Sequence, residues 1–294
     1  MMTIWLNGEF VGREGAKISV YDHGLLYGDG IFEGIRSYGG KIFRLQAHLD
    51  RLYDGAKSLM LNIPKTKNEL GVLLNQAVAR ETVSGNPNSY IRLVITRGEG
   101  ALGLDPFTCE NPSIVIIVDA IKLYPAEYYE NGVPVISSSY RRSPTDTLDP
   151  RIKSLNYLNN ILAKIQAKQA GAQEAILLNH RGYVTECTAD NMILVKNGKL
   201  RVPAGHYGSL DGITLRAIGE IAHDLGYSWE ESALTLHDVY ISDEVLLTGT
   251  GAEIVPVSVV DGRKFVVGPV FKKLSAEFHR RLKEDNAWCD GPKT

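Results

Sequence analysis

Strand-sized apolar runs alternate with stretches of helical period along most of this chain, and that alternation restricts it to a mixed α/β architecture. The opening reads as a hairpin: Thr3–Leu6 and Glu9–Val11 flank Asn7-Gly8, the strongest two-residue turn signal. A longer hairpin is expected over 31–38 and 41–45, around Gly39-Gly40. Leu45, Leu49, Leu52, Ala56 and Leu59 then recur at helical spacing. Thr66 with Glu69 forms a capping box, which predicts a second helix running to Val83. Strands follow at Tyr90–Thr96 and Ser113–Asp119, separated by a glycine-rich loop.

From Ala120 to Gly132 the period is lost amid Pro125 and three tyrosines. This marks a link, so the expected division is an N-terminal domain 1–120, a link 121–132 and a C-terminal domain 133–294. Beyond the link the alternation resumes: a strand at 133–137, a helix at 154–170, and strands at 175–178, 183–186 and 191–195. An Asn197-Gly198 hairpin, a helix over 213–225 and a strand at 244–247 complete the pattern. The fold class expected is α/β (α+β), in two unequal domains.

Composition narrows the function. The 294 residues are 44% hydrophobic and 22% charged, with a net charge of −2, which supplies no basic surface for nucleic acid or an anionic membrane. Apolar runs such as 113–120 are far below the length of a membrane span. The first residues show no basic region followed by a long apolar stretch, so no secretory signal is expected. Three widely spaced cysteines without a metal-ligand pattern fit a reducing cytoplasm, and no metal site is expected.

Four features could carry chemistry. The first is 148–160, where Lys153 stands at the junction of an extended, proline-bounded stretch and a helix whose expected buried stripe is Leu155, Leu158, Leu162 and Ile165. Lys153 and Tyr157, four apart, would share one face of that helix's first turn. An amine beside a phenol suits Schiff-base chemistry, although a lysine at a helix start also reads as a solvated surface residue. The second is Glu186, ending a strand within a loop of small residues, where a carboxylate could keep a pyridine ring protonated or merely serve a turn. The third is Leu210-Asp211-Gly212-Ile213-Thr214, opening an amphipathic helix whose free N–H groups favour a phosphate, unless Asp211 is a plain N-cap. The fourth is Thr248-Gly249-Thr250-Gly251-Ala252, which follows a strand and lets backbone approach a ligand or simply makes a tight turn. Arg51 could reach a phosphate from the N-terminal half. Together these are the parts list of a pyridoxal-phosphate site.

On these residues the chain resembles the branched-chain amino-acid aminotransferases of the class IV (fold-type IV) pyridoxal-phosphate enzymes. The matching stretches are Tyr27-Gly28-Asp29-Gly30-Ile31-Phe32-Glu33-Gly34-Ile35-Arg36, His48-Leu49-Asp50-Arg51-Leu52, Tyr90-Ile91-Arg92, Arg151-Ile152-Lys153-Ser154-Leu155-Asn156-Tyr157, Gly212-Ile213-Thr214 and Thr248-Gly249-Thr250. The resemblance covers nearly the whole chain. It implies a smaller N-terminal α/β sandwich and a larger C-terminal open barrel-like α/β domain, with pyridoxal 5'-phosphate as cofactor. It also implies transamination of leucine, isoleucine or valine with 2-oxoglutarate.

The roles it implies are specific. Lys153 would bind the cofactor and shuttle a proton, Glu186 would bond the pyridine nitrogen, and Tyr157 the ring O3′. Arg51, the Ile213 and Thr214 amides and the Thr250 hydroxyl would hold the phosphate. Tyr90 with the Thr250 and Gly251 amides would receive the substrate's α-carboxylate. Tyr27 and Phe32 would wall an apolar pocket, and Arg92 could accept glutamate's distal carboxylate. Partners would be amino acids and 2-oxo acids, in a homodimer or an assembly of dimers.

Two alternatives keep the fold: a D-amino-acid aminotransferase or an aminodeoxychorismate lyase. The former would show an Arg-x-His clamp on the Tyr90 strand, where this chain has Arg92-Leu93-Val94. A third alternative, a non-catalytic phosphate-ligand binding protein, would have no need of Lys153. Two residues depart from the family pattern, Cys187 where a small Gly or Ser is expected and Gly251 where Ala is common. Cys187 reads either as an oxidation-sensitive neighbour of Glu186 or as a buried inert thiol.

Overall fold

The hairpin at Asn7-Gly8 is present in a computed structural model of the chain, which describes residues 2–121, 124–284 and 288–290. Both turn residues take positive φ, 47° and 126°, as a tight hairpin turn requires. Contacts group the described residues into two units. Among them the first draws on 2–121, 152–156, 284 and 288–290, the second on 124–151 and 157–283. Residues 152–156 thus belong with the N-terminal elements, although the chain on either side of them belongs to the second unit.

The first unit contains β1 (Thr3–Leu6), β2 (Glu9–Val11), α1 (His23–Tyr27), β3 (Gly30–Tyr38) and β4 (Lys41–Phe43). These are followed by α2 (Leu45–Ser58), α3 (Lys67–Val83), β5 (Tyr90–Thr96) and β6 (Ser113–Asp119). The seven-stranded sheet is antiparallel throughout and runs β16-β4-β3-β5-β6-β1-β2, where β16 is Cys289–Asp290. Helices α2 and α3 lie on one face. Strand alternation sends Ile91, Leu93 and Ile95 of β5 and Ile114, Ile116 and Val118 of β6 to that face, where they meet Leu49, Leu52, Leu70 and Leu74. The capping box opens α3 as the sequence predicts, with Glu69 N donating to Thr66 Oγ1 at 3.2 Å and Thr66 N to Glu69 Oε2 at 2.6 Å.

In the second unit the elements are α4 (Ala126–Asn131), β7 (Val133–Arg141), α5 (Leu158–Gln169), β8 (Glu174–Leu178) and β9 (Val184–Cys187). Next come β10 (Asn191–Lys196), β11 (Lys199–Pro203), α6 (Ile213–Asp224), β12 (Trp229–Ser232) and α7 (Leu236–Tyr240). The last are β13 (Glu244–Gly249), β14 (Glu253–Val260), β15 (Arg263–Lys264) and α8 (Pro269–Glu284). The sheet runs β12-β11-β10-β13-β14-β7-β8-β9, with β15 on β14. It curls so that β9 also meets β10 and β11, the open barrel-like form that the resemblance implies. Val135, Ile176, Val184, Met192, Leu247 and Val255 pack inside the curl.

One helix is corrected. The expected span 154–170 is in fact Leu158–Gln169, and Tyr157 is its N-cap, so Lys153 and Tyr157 do not share a helical turn. The backbone around Lys153 is bonded elsewhere: Phe32 N donates to Lys153 O at 2.9 Å, Leu155 N to Gly30 O at 3.0 Å, and Ser154 bridges Ile31 as an extra piece of strand. The expected buried stripe also fails. Leu158 and Ile165 are exposed, and α5 instead buries Asn160, Ala163 and Ala167 against β7 and β8. Small residues there admit close helix-to-sheet packing that the larger side chains would obstruct.

Candidate active site

The cluster of candidate residues in the first unit follows from the pleat of β3. Ile31, Glu33 and Ile35 point to the helix side, so Phe32 and Gly34 point to the other, opposite Val94 and Arg92 of β5. The Arg92 guanidinium lies 4.5 Å from the Phe32 ring centre and 5.5 Å from that of Tyr90. Lys153 Nζ lies 4.7 Å from the same Phe32 ring, because the strand-like 153–155 segment runs along β3. An amine and a guanidinium thus lie close to one aromatic ring, and the guanidinium also lies close to the Tyr90 ring. Val94 occupies the place where a D-amino-acid enzyme would be expected to carry its histidine.

On the helix side Glu33 is fully buried. His48 and Arg51, three apart on α2, both reach it: Arg51 Nε donates to Oε1 at 2.8 Å and Nη2 to Oε2 at 2.7 Å, with His48 Nδ1 2.8 Å from Oε2. Burial alone would raise the Glu33 pKa, but the Arg51 charge and the bonds from His48 and Arg51 overcome it and hold the carboxyl down at about 2. Burial in turn lowers the His48 pKa against the pull of Glu33. The neutral ring therefore donates its Nδ1 proton, and its buried Nε2 has no partner among the described residues. Arg51, expected as a phosphate ligand, is braced by Glu33 in a fixed orientation.

Tyr27 is placed apart from the Phe32 cluster in its interactions. It packs edge-on against His23 at 4.9 Å, and its hydroxyl accepts from Gly103 N at 2.9 Å.

In the second unit Glu186 is buried at the end of β9. Its Oε1 pairs with Arg142 Nη2 at 2.8 Å, while Oε2 accepts from Leu210 N at 3.0 Å and from Asn191 Nδ2 at 3.4 Å. Asn191 also donates to Leu210 O at 2.9 Å, tying the approach to α6 to the Glu186 loop. Helix α6 has Gly212, not Asp211, as N-cap, and Asp211 pairs with Arg216 at 3.2 Å. Its N-cap, Gly212, brings no side chain to the first N–H groups of this helix, where Ile213 and Thr214 are buried, and the helix's positive end favours an anion. The turn between β13 and β14 holds Thr250 and Gly251, half-buried, and Thr248 Oγ1 clasps it by donating to Glu253 O at 2.7 Å. Cys187 is fully buried and burial pushes its thiol well up, which decides for the inert reading.

Sequence reasoning passed over three participants. Arg142 carries no signal beyond being one of two arginines at a strand end. Glu33 and His48 had a usable one: a charged residue on the apolar face of a strand needs a partner, and His48 and Arg51 are spaced to share one helix face.

The chain belongs to the class IV aminotransferases, whose family pattern, described as amino-transferase class IV, matches residues 30–260. A putative branched-chain-amino-acid aminotransferase of Methanocaldococcus jannaschii is 50% identical over 280 residues, which are 94% of this chain and 95% of that protein. The solved branched-chain aminotransferase of Escherichia coli superposes with a TM-score of 0.94 at 32% identity, covering 99% of both chains. The T.th. enzyme of the same name, solved with pyridoxamine 5'-phosphate, gives 0.93 at 36% identity over 99% of this chain and 98% of the other. These relatives place it among the branched-chain-amino-acid aminotransferases of the family.

Proposed function

We propose that the protein transfers the amino group of leucine, isoleucine or valine to 2-oxoglutarate, giving the branched 2-oxo acid and L-glutamate, with pyridoxal 5'-phosphate as cofactor. The observation that carries this reading is the Phe32 ring, with Lys153 Nζ at 4.7 Å and the Arg92 guanidinium at 4.5 Å. An apolar surface for an aliphatic side chain and a cation for an acidic one thereby meet beside the reactive amine.

The residues fit the cofactor. Lys153 is the amine, Glu186 the buried acid for a pyridine nitrogen, and the start of α6, with glycine as its N-cap, the seat for a phosphate. When bound, pyridoxal phosphate supplies an electron sink and a carrier for the amino group. Lys153 would hold it through Nζ and then take the proton from the substrate's α-carbon. Arg142 and the Leu210 amide hold the Glu186 carboxylate in one orientation for the ring nitrogen. Tyr157 would bond O3′, and Arg51, the Ile213 and Thr214 amides and the Thr250 hydroxyl would bind the phosphate. Tyr90 and the Thr250 and Gly251 amides would receive the α-carboxylate. Phe32 would exclude water from the side-chain pocket, and Arg92 would accept glutamate's distal carboxylate.

The cytoplasm is the proposed location, supported by three cysteines, odd in number, widely spaced and without a metal-ligand pattern. Among the described residues no helix is long and apolar enough to cross a membrane. The assembly proposed is a homodimer or a set of dimers.

The test is direct. Borohydride reduction of the yellow holoenzyme should leave a pyridoxyl adduct on Lys153, and half-reactions should favour L-leucine, L-isoleucine and L-valine. An adduct on another lysine overturns the assignment, and faster reaction with D-alanine than with L-leucine overturns the substrate class.

A further inference from the structure

Asp190 is a buried carboxyl that this reaction scheme does not use. It lies in the tight loop between β9 and β10, where Cys187 N donates to Asp190 O at 2.8 Å. Its Oδ2 accepts from the Tyr124 hydroxyl at 3.0 Å. Its other oxygen faces the turn after β13: a Cβ added to Gly249 would stand 2.3 Å from Asp190 Oδ1. A side chain is excluded there, so the turn's backbone lies directly against the carboxyl. The register that pairs Asn191 with Thr248 fixes this juxtaposition.

The groups facing Asp190 come from several elements. Glu174 of β8 accepts from Thr188 N at 2.9 Å and Thr188 Oγ1 at 2.6 Å, and pairs with Lys164 of α5. Tyr124 also points its hydroxyl at Glu174, at 3.5 Å. Glu186 and the Cys187 thiol stand on β9, with Arg142 on Glu186. Two carboxyls therefore share one pocket. Glu174 has the ammonium, and among the described residues the side-chain partner of Asp190 is the neutral phenol, so a proton taken up by the pair goes to Asp190. Burial and the charge of Glu174 push Asp190 up to about 7, against the Tyr124 bond and Lys164, which pull it down. Burial also pushes Tyr124 well up, leaving it a donor throughout.

Resting on the reading that the Thr250 and Gly251 amides receive the substrate's α-carboxylate, we propose that Asp190 sets the charge beneath that turn. Protonated, it lets the turn hold an anion; ionised, it places a negative charge next to the anion's seat. Affinity for a carboxylate should then be full at low pH and fall as pH rises through neutrality. Alternation of Asp190 between its two forms would tune substrate affinity without touching the cofactor.

The experiment measures binding of 4-methylvalerate, a branched monocarboxylate, to the cofactor-loaded enzyme by calorimetry between about pH 6 and 8.5. The parent should weaken by about tenfold across that range beyond what Asp190→Asn shows, since the asparagine cannot ionise. Glu174→Gln removes the neighbouring charge and should move the step to higher pH only if Glu174 stabilised the ionised form; the inference requires the opposite, a move to lower pH. The same step in Asp190→Asn as in the parent, or no step in the parent, overturns the inference alone. Should Asp190→Asn fail to load cofactor, an unmoved step in Glu174→Gln overturns it instead. No binding at any pH overturns the reading of the turn as a carboxylate seat, and this inference with it.

Discussion

Glu33 shows how a single buried charge organises its neighbours. With its pKa held near 2 rather than the ordinary 4.5, the carboxylate contributes stability above about pH 4.5 that is lost as pH falls toward 2. Glu33→Gln leaves Arg51, only 10% exposed, without its counter-charge and should destabilise by about 3–5 kcal/mol at pH 7. Urea titrations of parent and variant should converge as the pH is lowered through 4 and 3. A gap that stays constant with pH would mean that the loss comes from packing and not from charge. The variant should also bind cofactor more weakly if Arg51 reaches the phosphate, which absorbance titration of the folded protein measures separately.

The paired strands β3 and β5 turn that single-residue logic into a surface. Gly34 stands opposite Arg92, and a Cβ on it would lie 2.1 Å from the Tyr90 hydroxyl, so the missing side chain is what lets Tyr90 lie across β3. Gly34→Ala should keep the fold, because the conflict is with the far end of a side chain, and should displace the Tyr90 hydroxyl. Loss of a hydrogen bond to a charged group is worth roughly 1.5–3 kcal/mol, so the KM for both amino acid and oxo acid should rise about tenfold or more, as in Tyr90→Phe. Unchanged KM values in both variants would remove Tyr90 from carboxylate binding. Much at this scale is readable from the chain alone: the Asn7-Gly8 hairpin, the Thr66 capping box, and β5 and β6 have the expected limits. The Lys153 segment misleads because a pattern of leucines suits a helix, while the competing partner, the edge of β3, lies far away in sequence. Helix α8 is legible too, its Val270, Phe271, Leu274 and Phe278 being buried at helical spacing, yet the expected elements stop short of it. The motif residues at Lys153, Glu186, Gly212 and Thr248 are visible as chemistry-bearing types. Arg142 and Asp190 are not, since only the curl of the second sheet gives them their neighbours.

At the scale of the whole molecule, the first unit leaves an apolar surface uncovered. Val20, Tyr21 and Leu25 near α1 are exposed, as are Leu102, Leu104 (82%) and Phe107 (72%) of the loop before β6. These are one surface, because the two segments are bonded together: His23 Nε2 donates to Ala101 O at 2.9 Å, Gly100 N to Tyr21 O at 3.3 Å, and Gly103 N to the Tyr27 hydroxyl at 2.9 Å. Large contiguous apolar patches mark association sites, and a second copy of the chain is the occupant that the proposed homodimer supplies. Replacing Leu104 and Phe107 together by glutamate puts two like charges into the patch of each copy, and burying them unpaired is strongly unfavourable. The parent should sediment at twice the chain mass or a multiple of it, and the double variant at the mass of one chain. Both side chains are solvated in the single chain, so the variant should keep the same circular dichroism at low temperature. Its melting should then no longer depend on protein concentration, whereas that of the parent should. A parent that sediments as a single chain would overturn the dimer, and a double variant that still sediments as the parent does would move the interface to another face.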